Sequence, residues 1–468
     1  MVFSSMTFLC VFFPVVFALY YILPGLRARN VLLILASLLF YAYGEPAYVL
    51  LMIFSIVMNY FFGRMMNTRN AGLRKAALLI AVVINIGLLV VFKYTDMILR
   101  TINQLAGTQI PMTEIALPIG ISFFTFQALS YVIDVYRDEV QSQKSVFNVM
   151  LYVSFFPQLI AGPIVKYHDI QKQIETRKTD VQEIAEGFRR FTIGLAKKVL
   201  ISNTVAIAAD GVFNSQIGEI NIVAAWIGAI SYMLQIYYDF SGYSDMAIGM
   251  GHMFGFHFQE NFNYPYISAS IKEFWRRWHI SLSTWFKEYL YIPLGGNRKG
   301  KIRTCVNKMV VFSATGLWHG ASWTFVLWGI WHGVFSLIEE FLPIRKLPGF
   351  FRHIYAMLVV CIGFVMFRAD TFSQGIQMIG TMFTGWNFDS TSIQVAVYWL
   401  NPFYLVILFV GILGCMPILR SLHAFTERTP VVKRIVVLFS YVGSVLLLLL
   451  SMLSLSSGTY NPFIYFRF

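Results

Sequence analysis

Apolar runs long enough to cross a bilayer recur from one end of this chain to the other, parted by short polar stretches. They fall at about 6–24, 30–44, 47–62, 76–92, 116–135, 147–165, 189–209, 220–239, 308–336, 350–368, 398–418 and 432–455. Two shorter segments, near 242–257 and 371–385, suit re-entrant or interfacial helices. A hydrocarbon core of about 30 Å takes about 20 apolar residues as helix, and lipid tolerates only helices and closed barrels. The pattern therefore predicts an all-α polytopic membrane protein of around a dozen membrane segments. Neither a repeat of 20–50 residues nor a pair of inverted halves is visible, so 1–468 reads as one integral domain.

Two stretches interrupt the pattern. "KYHDIQKQIETRKTDVQEIAEGFRR", 166–190, is polar and predicts a surface helix or two on the cytoplasmic face. "QENFNYPYISASIKEFWRRWHISLSTWFKEYLYIPLGGNRKGKIR", 259–303, mixes aromatic and charged residues, as helices lying at or dipping into the interface do. Glu273 and Arg277 stand at i,i+4 and predict a local pair. The interfacial and re-entrant region as a whole runs over about 237–335.

Composition agrees with the pattern: 57% of residues are hydrophobic and 13% charged, against about 25% charged in soluble domains. The net charge of +13 does not point to nucleic acid, because the cations sit in short loops between spans, the positive-inside pattern. Arg27 and Arg29 follow the first span, and Arg64, Arg69, Arg74 and Lys75 the third, whereas "GEPAY" (44–48) carries no cation; the N-terminus is expected outside. The first run has no basic residue before it and no small-residue cleavage site after it, which predicts a retained span. Cys10, Cys305, Cys361 and Cys415 lie far apart, with no metal-ligand spacing, and no HExxH, GxSxG or P-loop pattern occurs.

Candidate chemistry concentrates on three histidines. A helix starting after Arg303 would carry His319 about 24 Å along its axis, deep in the membrane, where an ionisable side chain faces a bundle interior or a water-filled cavity. His332 lies 13 residues on. On a straight helix it would point nearly opposite and sit about 20 Å away, unless Gly320 or Gly329 breaks the helix. His279, in "RRWHISLSTW", is the third. The loop "LGGNRKGKIR" offers Arg298 and Lys299, either to phosphates or simply to fix topology. "YYDFSGYSDMAIG" (237–249) brings Asp239 and Asp245 beside Tyr243 with no cation in the same stretch. Buried carboxylates need partners, and Arg276, Arg277 and Lys197 are the available ones.

"DFSGYSDMAIGMGHMFGF", "ENFNYPYISASIKEFWRRWHISLSTWFKEYLYIPLGGNRKG" and "GLWHGASWTFVLWGIWHG" closely resemble the membrane-bound O-acyltransferase family, nearest to its branch that acetylates alginate or peptidoglycan. The resemblance runs over most of 1–370; the last hundred residues match in hydropathy only. It implies a ring of tilted helices around a tunnel or funnel. It also implies a catalytic histidine at His319 and a second polar position at His279, with His332 in reserve. Arg276, Arg277, Arg298 and Lys299 become donor-binding candidates, and Asp239, Tyr243, Asp245, Trp318 and Trp323 tunnel-lining ones. No tightly bound cofactor and no metal are implied. The donor would be acetyl-CoA or an acyl-carrier-protein thioester on the cytoplasmic side of a bacterial inner membrane. The acceptor would be an extracytoplasmic polysaccharide, reached directly or through an SGNH-hydrolase-like acetyltransferase partner. D-alanyl transfer to teichoic acid from a carrier protein is the competing activity, and a transporter with a His319–Asp239 proton relay the competing class.

Overall fold

The computed structural model describes residues 1–418, 430–458, 460–461 and 463–464, and those residues form helices and connecting loops. They gather into two compact units. The first comprises Met1–Phe191 and Met246–Gln259, the second Thr192–Asp245 and Glu260–Phe468.

In the first unit, α1 (Phe13–Ile22) follows a π-helical turn, Phe8–Phe12, and α2 (Gly25–Ala42) starts after Pro24. Next come α3 (Tyr48–Met65), α4 (Ala71–Leu89) and α5 (Thr95–Ala106). The Asn70 side chain caps α4 by accepting from Leu73 N at 3.1 Å. Then follow α6 (Ile121–Tyr136), α7 (Val146–Ser154) and α8 (Phe156–Leu159). The apolar run 147–165 is thus not one span: Phe155 turns to ψ 112° just ahead of Pro157, which cannot continue a helix already under way. The polar stretch 166–190 forms α9 (Tyr167–Thr176) and the start of α10 (Val181–Ala196), the two helices expected there.

A π-helical turn, Lys197–Ser202, joins α10 to α11 (Asn203–Asn214) and presents two lysines side by side. The long helix α12 (Ile222–Met253) absorbs most of the segment expected to be re-entrant at 242–257. Two glycines there serve close packing. A Cβ at Gly242 would stand 2.6 Å from Gly194 O, and one at Gly249 2.6 Å from Gly187 O.

In the second unit, α13 (Ile271–Arg277) and α14 (Ile280–Phe286) are short, and α15 (Lys301–His319) and α16 (Trp323–Phe341) are long. After them come α17 (Gly349–Arg368), α18 (Phe372–Thr384), α19 (Ser390–Trp399), α20 (Pro402–Gly414) and α21 (Pro430–Ser457). The run at 308–336 is therefore a hairpin and not a single span. It folds at Gly320, whose φ of −165° and ψ of 158° end α15, and Ser322 opens α16 by accepting from Thr324 N at 3.3 Å. The two helices run back to back because Gly316 and Gly329 carry no side chain: a Cβ at either would overlap the Phe325 or Phe312 carbonyl opposite.

By length and apolar character, six described helical stretches can cross a membrane, or seven if the pair α19–α20, bent by 59°, counts as one. That is fewer than the dozen expected from hydropathy, because several apolar runs are broken into short helices or folded into the hairpin. The protein is an all-α, multi-pass membrane protein.

Candidate active site

The site is assembled within the second unit. Ser270 caps α13 by accepting from Glu273 N at 3.0 Å, and Arg277 ends it. The chain then turns sharply at His279, whose φ of 42° and ψ of 56° are left-handed, a conformation that costs a histidine about 1 kcal/mol or more. The neighbouring stretch holds the turn in place. Asn263 N donates to Arg277 O at 2.9 Å and Ile280 N to Asn261 O at 2.9 Å. The turn brings the imidazole fully out of solvent.

Asn261 fixes the orientation of that ring. Its Oδ1 accepts from Ser281 N at 3.2 Å and Ser281 Oγ at 2.9 Å, and lies 3.1 Å from His279 Nδ1. A backbone N–H can only donate, so the atom facing Ser281 is the amide oxygen, and an amide oxygen can only accept. His279 Nδ1 therefore carries its hydrogen toward Asn261, and in the neutral ring Nε2 keeps its lone pair.

His319 comes from the tip of the hairpin. Being the last residue of α15, it is turned inward by the fold at Gly320, where a Cβ would overlap the Phe325 ring. Its imidazole is 7% exposed and sits among Trp318, Trp328 and Phe367, with ring centroids at 5.0, 5.1 and 5.3 Å. The His279 ring lies 6.4 Å away, and Trp318 stands 5.9 Å from His279. His319 also borders a cavity with room for about one water-sized group (≈ 10 Å³), closed by Phe240, Trp278, Trp328, Phe364 and Phe367 among others. A buried imidazole lining a small apolar pocket, with a second one 6.4 Å away, can remove a proton from an incoming hydroxyl and help orient the group it attacks.

His332 does not join them, though not for the reason a straight helix suggests. The hairpin brings it back toward His319, but the Trp328 indole stands between, 5.1 Å from each ring. His332 is fully buried, stacked on Phe274 at 6.2 Å and edge-on to Trp275 at 5.2 Å. Its Nε2 would lie 2.9 Å from a Cβ at Gly363, so the ring fills the seam between α16 and α17.

The carboxylates are paired. Asp239 lies 2.7 Å from Lys198 Nζ, both side chains almost fully buried, and Asp245 2.6 Å from Lys197 Nζ. Lys197 was among the partners expected; Lys198 was not. Tyr243 is buried and stacks on Phe463 at 4.8 Å. Trp323 is 53% exposed and stands outside the cavity, a correction to its place among the lining candidates. Arg277 is held by Glu273 (2.9 Å) and Asn263 O (3.1 Å), the helical pair expected, while Arg276, Arg298 and Lys299 are exposed.

Three features were not legible in the sequence. Asn261 precedes His279 by 18 positions in a segment that looks like loop. Phe367, read only as part of a span, reaches His319. Ile464, from the stretch expected to match in hydropathy only, lines the same cavity; that stretch is in fact covered by the full-length likeness to relatives at 39% identity.

The profile of the membrane-bound O-acyltransferase family matches residues 121–369, a range that includes both histidines of the pair. The chain belongs to the membrane-bound O-acyltransferase family. It is accordingly an acyltransferase, which sets aside transport by a His319–Asp239 relay. It is 39% identical, with both chains fully covered, to a protein of Pseudomonas putida described as a probable alginate O-acetylase AlgI. It is 37% identical to a peptidoglycan O-acetyltransferase of Helicobacter pylori, over 82% of this chain and 80% of that one. A teichoic acid D-alanyltransferase of Bacillus subtilis is more distant, 27% identical over 54% of this chain and 69% of that one. Family membership implies an acyl donor and a hydroxyl acceptor.

Proposed function

We propose that this acyltransferase moves an acetyl group from a cytoplasmic thioester to hydroxyls of an extracytoplasmic polysaccharide, alginate-like or peptidoglycan, at the inner membrane of a bacterium. The two relatives named as O-acetylating enzymes support the acetyl group and the class of acceptor. The observation that carries the mechanism is the pairing of His319 and His279, 6.4 Å apart and both buried, with His319 lining the small cavity.

In this reading His319 is the general base. The acceptor oxygen bonds to the thioester carbonyl carbon as its proton passes to the imidazole; the C–S bond then breaks, and the departing thiolate takes the proton back. The products are an ester and a free thiol, and the histidine is regenerated. Imidazole suits this step because its pKa of about 6.5 lies near the working pH. His279, with Nδ1–H committed to Asn261, offers an acceptor at Nε2. That atom suits an amide N–H of a pantetheine arm, which acetyl-CoA and carrier-protein thioesters share. The exposed Arg276, Arg298 and Lys299 would meet the donor's phosphates. The acceptor hydroxyl is that of the glycan or of an SGNH-hydrolase-like partner that relays the acetyl group outside.

The test is thioester consumption by the purified protein in lipid, with labelled acetyl-CoA and each of the three histidine variants. His319→Ala is expected to lose about 10²–10⁴-fold in turnover, His279→Ala to lose mainly through a raised KM, and His332→Ala to lose stability first. Full turnover by a folded His319→Ala protein would sink the assignment. Consumption of a D-alanyl carrier thioester in place of acetyl-CoA would reassign the donor.

A further inference from the structure

The catalytic cavity is walled mostly by rings on helices, but one wall comes from the far end of the chain. Ile464 is 5% exposed and borders the same cavity as His319. Its segment is fastened at several points. Ile464 N donates to Asp239 Oδ2 at 2.7 Å. That carboxylate also holds Lys198, whose Nζ reaches Asn203 Oδ1 at 2.8 Å, and Asn203 Nδ2 donates to Asn461 Oδ1 at 3.2 Å. Phe463 stacks on Tyr243, and the Tyr460 hydroxyl donates to Asp210. Asp210 in turn pairs with Arg368 at 2.5 Å, next to the Phe367 ring that faces His319. A buried Lys–Asp pair is tolerable only when its remaining polar capacity is satisfied, and here the backbone N–H of Ile464 supplies part of that. The segment is thus built into the same network that holds α12 and the π-helical turn.

We infer that Ile464 is a specificity-determining residue: its side chain closes the acyl pocket beside His319 and limits the group transferred to about two carbons. The inference rests on the acyl-transfer reading above. The cavity has room for one small group, as an acetyl methyl requires, and a longer chain would have to displace a wall. Phe240, Trp278, Trp328, Phe364 and Phe367 each pack against other rings of the core. Of the two aliphatic walls Ile236 lies on α12, whereas Ile464 is carried by a separate segment, so shortening Ile464 enlarges the pocket without disturbing a helix. One methylene in such a pocket is worth about 10-fold or more in discrimination.

The experiment compares wild type, Ile464→Val and Ile464→Ala, all full-length and in lipid, by two readouts. One is turnover of acetyl-, propionyl- and butyryl-CoA. The other needs no donor: mass-spectrometric acylation of His319 by diethyl pyrocarbonate and by the bulkier di-tert-butyl dicarbonate. The expected result is a butyryl-to-acetyl ratio raised about 10-fold or more in Ile464→Ala. Ile464→Val should be intermediate, and the bulky-to-small labelling ratio of His319 should rise in the same order. Unchanged ratios in both readouts in a folded Ile464→Ala protein would overturn the inference. If that variant does not fold, Ile464→Val decides on the same ratios. A raised labelling ratio with no CoA thioester consumed by any form would leave the wall standing and sink the donor reading instead.

Discussion

The amide oxygen of Asn261 takes hydrogens from Ser281 N, Ser281 Oγ and His279 Nδ1, and through the last of these it selects which nitrogen of His279 keeps its lone pair. Asn261→Ala removes that selection and frees a ring held in a strained turn. We expect a turnover loss of about 10²-fold, the typical cost of a misplaced group. Asn261→Asp keeps an accepting oxygen for all three donors and should restore most of the rate, with a pH profile shifted upward because the added charge favours a protonated His279. Equal losses in the two variants would make Asn261 merely structural. The motif "RRWHIS" reveals His279 because the residues around it are contiguous, but its partner lies 18 positions upstream and is brought close only by the fold. His168 shows the same limit. Its neighbour Asp169 lies 3.2 Å from its Nε2, but the buried Asp134, which meets its Nδ1 at 3.0 Å, is 34 positions upstream and is brought close only by the fold. Hydrogen bonds to Asp134 and Asp169, against the opposing effect of burial, raise its pKa from 6.5 to about 10. A folded-state pKa above the unfolded one gives stability that is full below pH 6.5 and is lost as pH rises through about 10. Thermal unfolding should therefore show wild type losing its advantage over His168→Gln between those limits; a constant difference across them would refute the pairing.

The hairpin of α15 and α16 shows what hydropathy reads well and what it misreads. Twenty-nine consecutive positions, 308–336, suggest one long span, and the helical rise then places His319 and His332 far apart. What breaks the run is not polarity but the geometry of one glycine. At Gly320 the chain is extended, and the Phe325 ring occupies the space a Cβ would need. Gly320→Ala should thus cost about 1–3 kcal/mol, the usual range for overpacking, and shift His319 at the same time. Phe325→Ala in the same chain should recover part of the loss by vacating that space, whereas Phe325→Ala alone should only destabilise. Melting temperatures in detergent give the double-mutant cycle, and strict additivity would show that the two residues do not compete for one volume. The same physics explains α12, whose glycines let helices approach along a segment expected to be re-entrant. Element existence was legible from apolar runs, and Gly320 and Gly329 stood out as possible breaks; which of them folds the chain was not legible, because it depends on what packs opposite.

At the scale of the whole chain, charge and apolar exposure make a claim about the bilayer that the helices alone do not. The described part of α21 is largely uncovered, with 6% of its apolar window buried, as a lipid-facing helix requires. The chain carries 36 Lys and Arg against 23 Asp and Glu, and short basic loops stay on the cytoplasmic side during insertion. Arg298 and Lys299 lie exposed in one such loop, and the topology we propose turns it toward the compartment where thioester donors are made. The turn at 44–48 has no cation, and its Ala47 is exposed. In a background with Cys10, Cys305, Cys361 and Cys415 replaced, single cysteines at Ala47 and Arg298 should react oppositely with a membrane-impermeant maleimide. In intact spheroplasts Ala47→Cys should be labelled and Arg298→Cys protected, and lysis should expose Arg298→Cys. Labelling of Arg298→Cys from outside would invert the topology and, with it, the side from which the donor reaches His319.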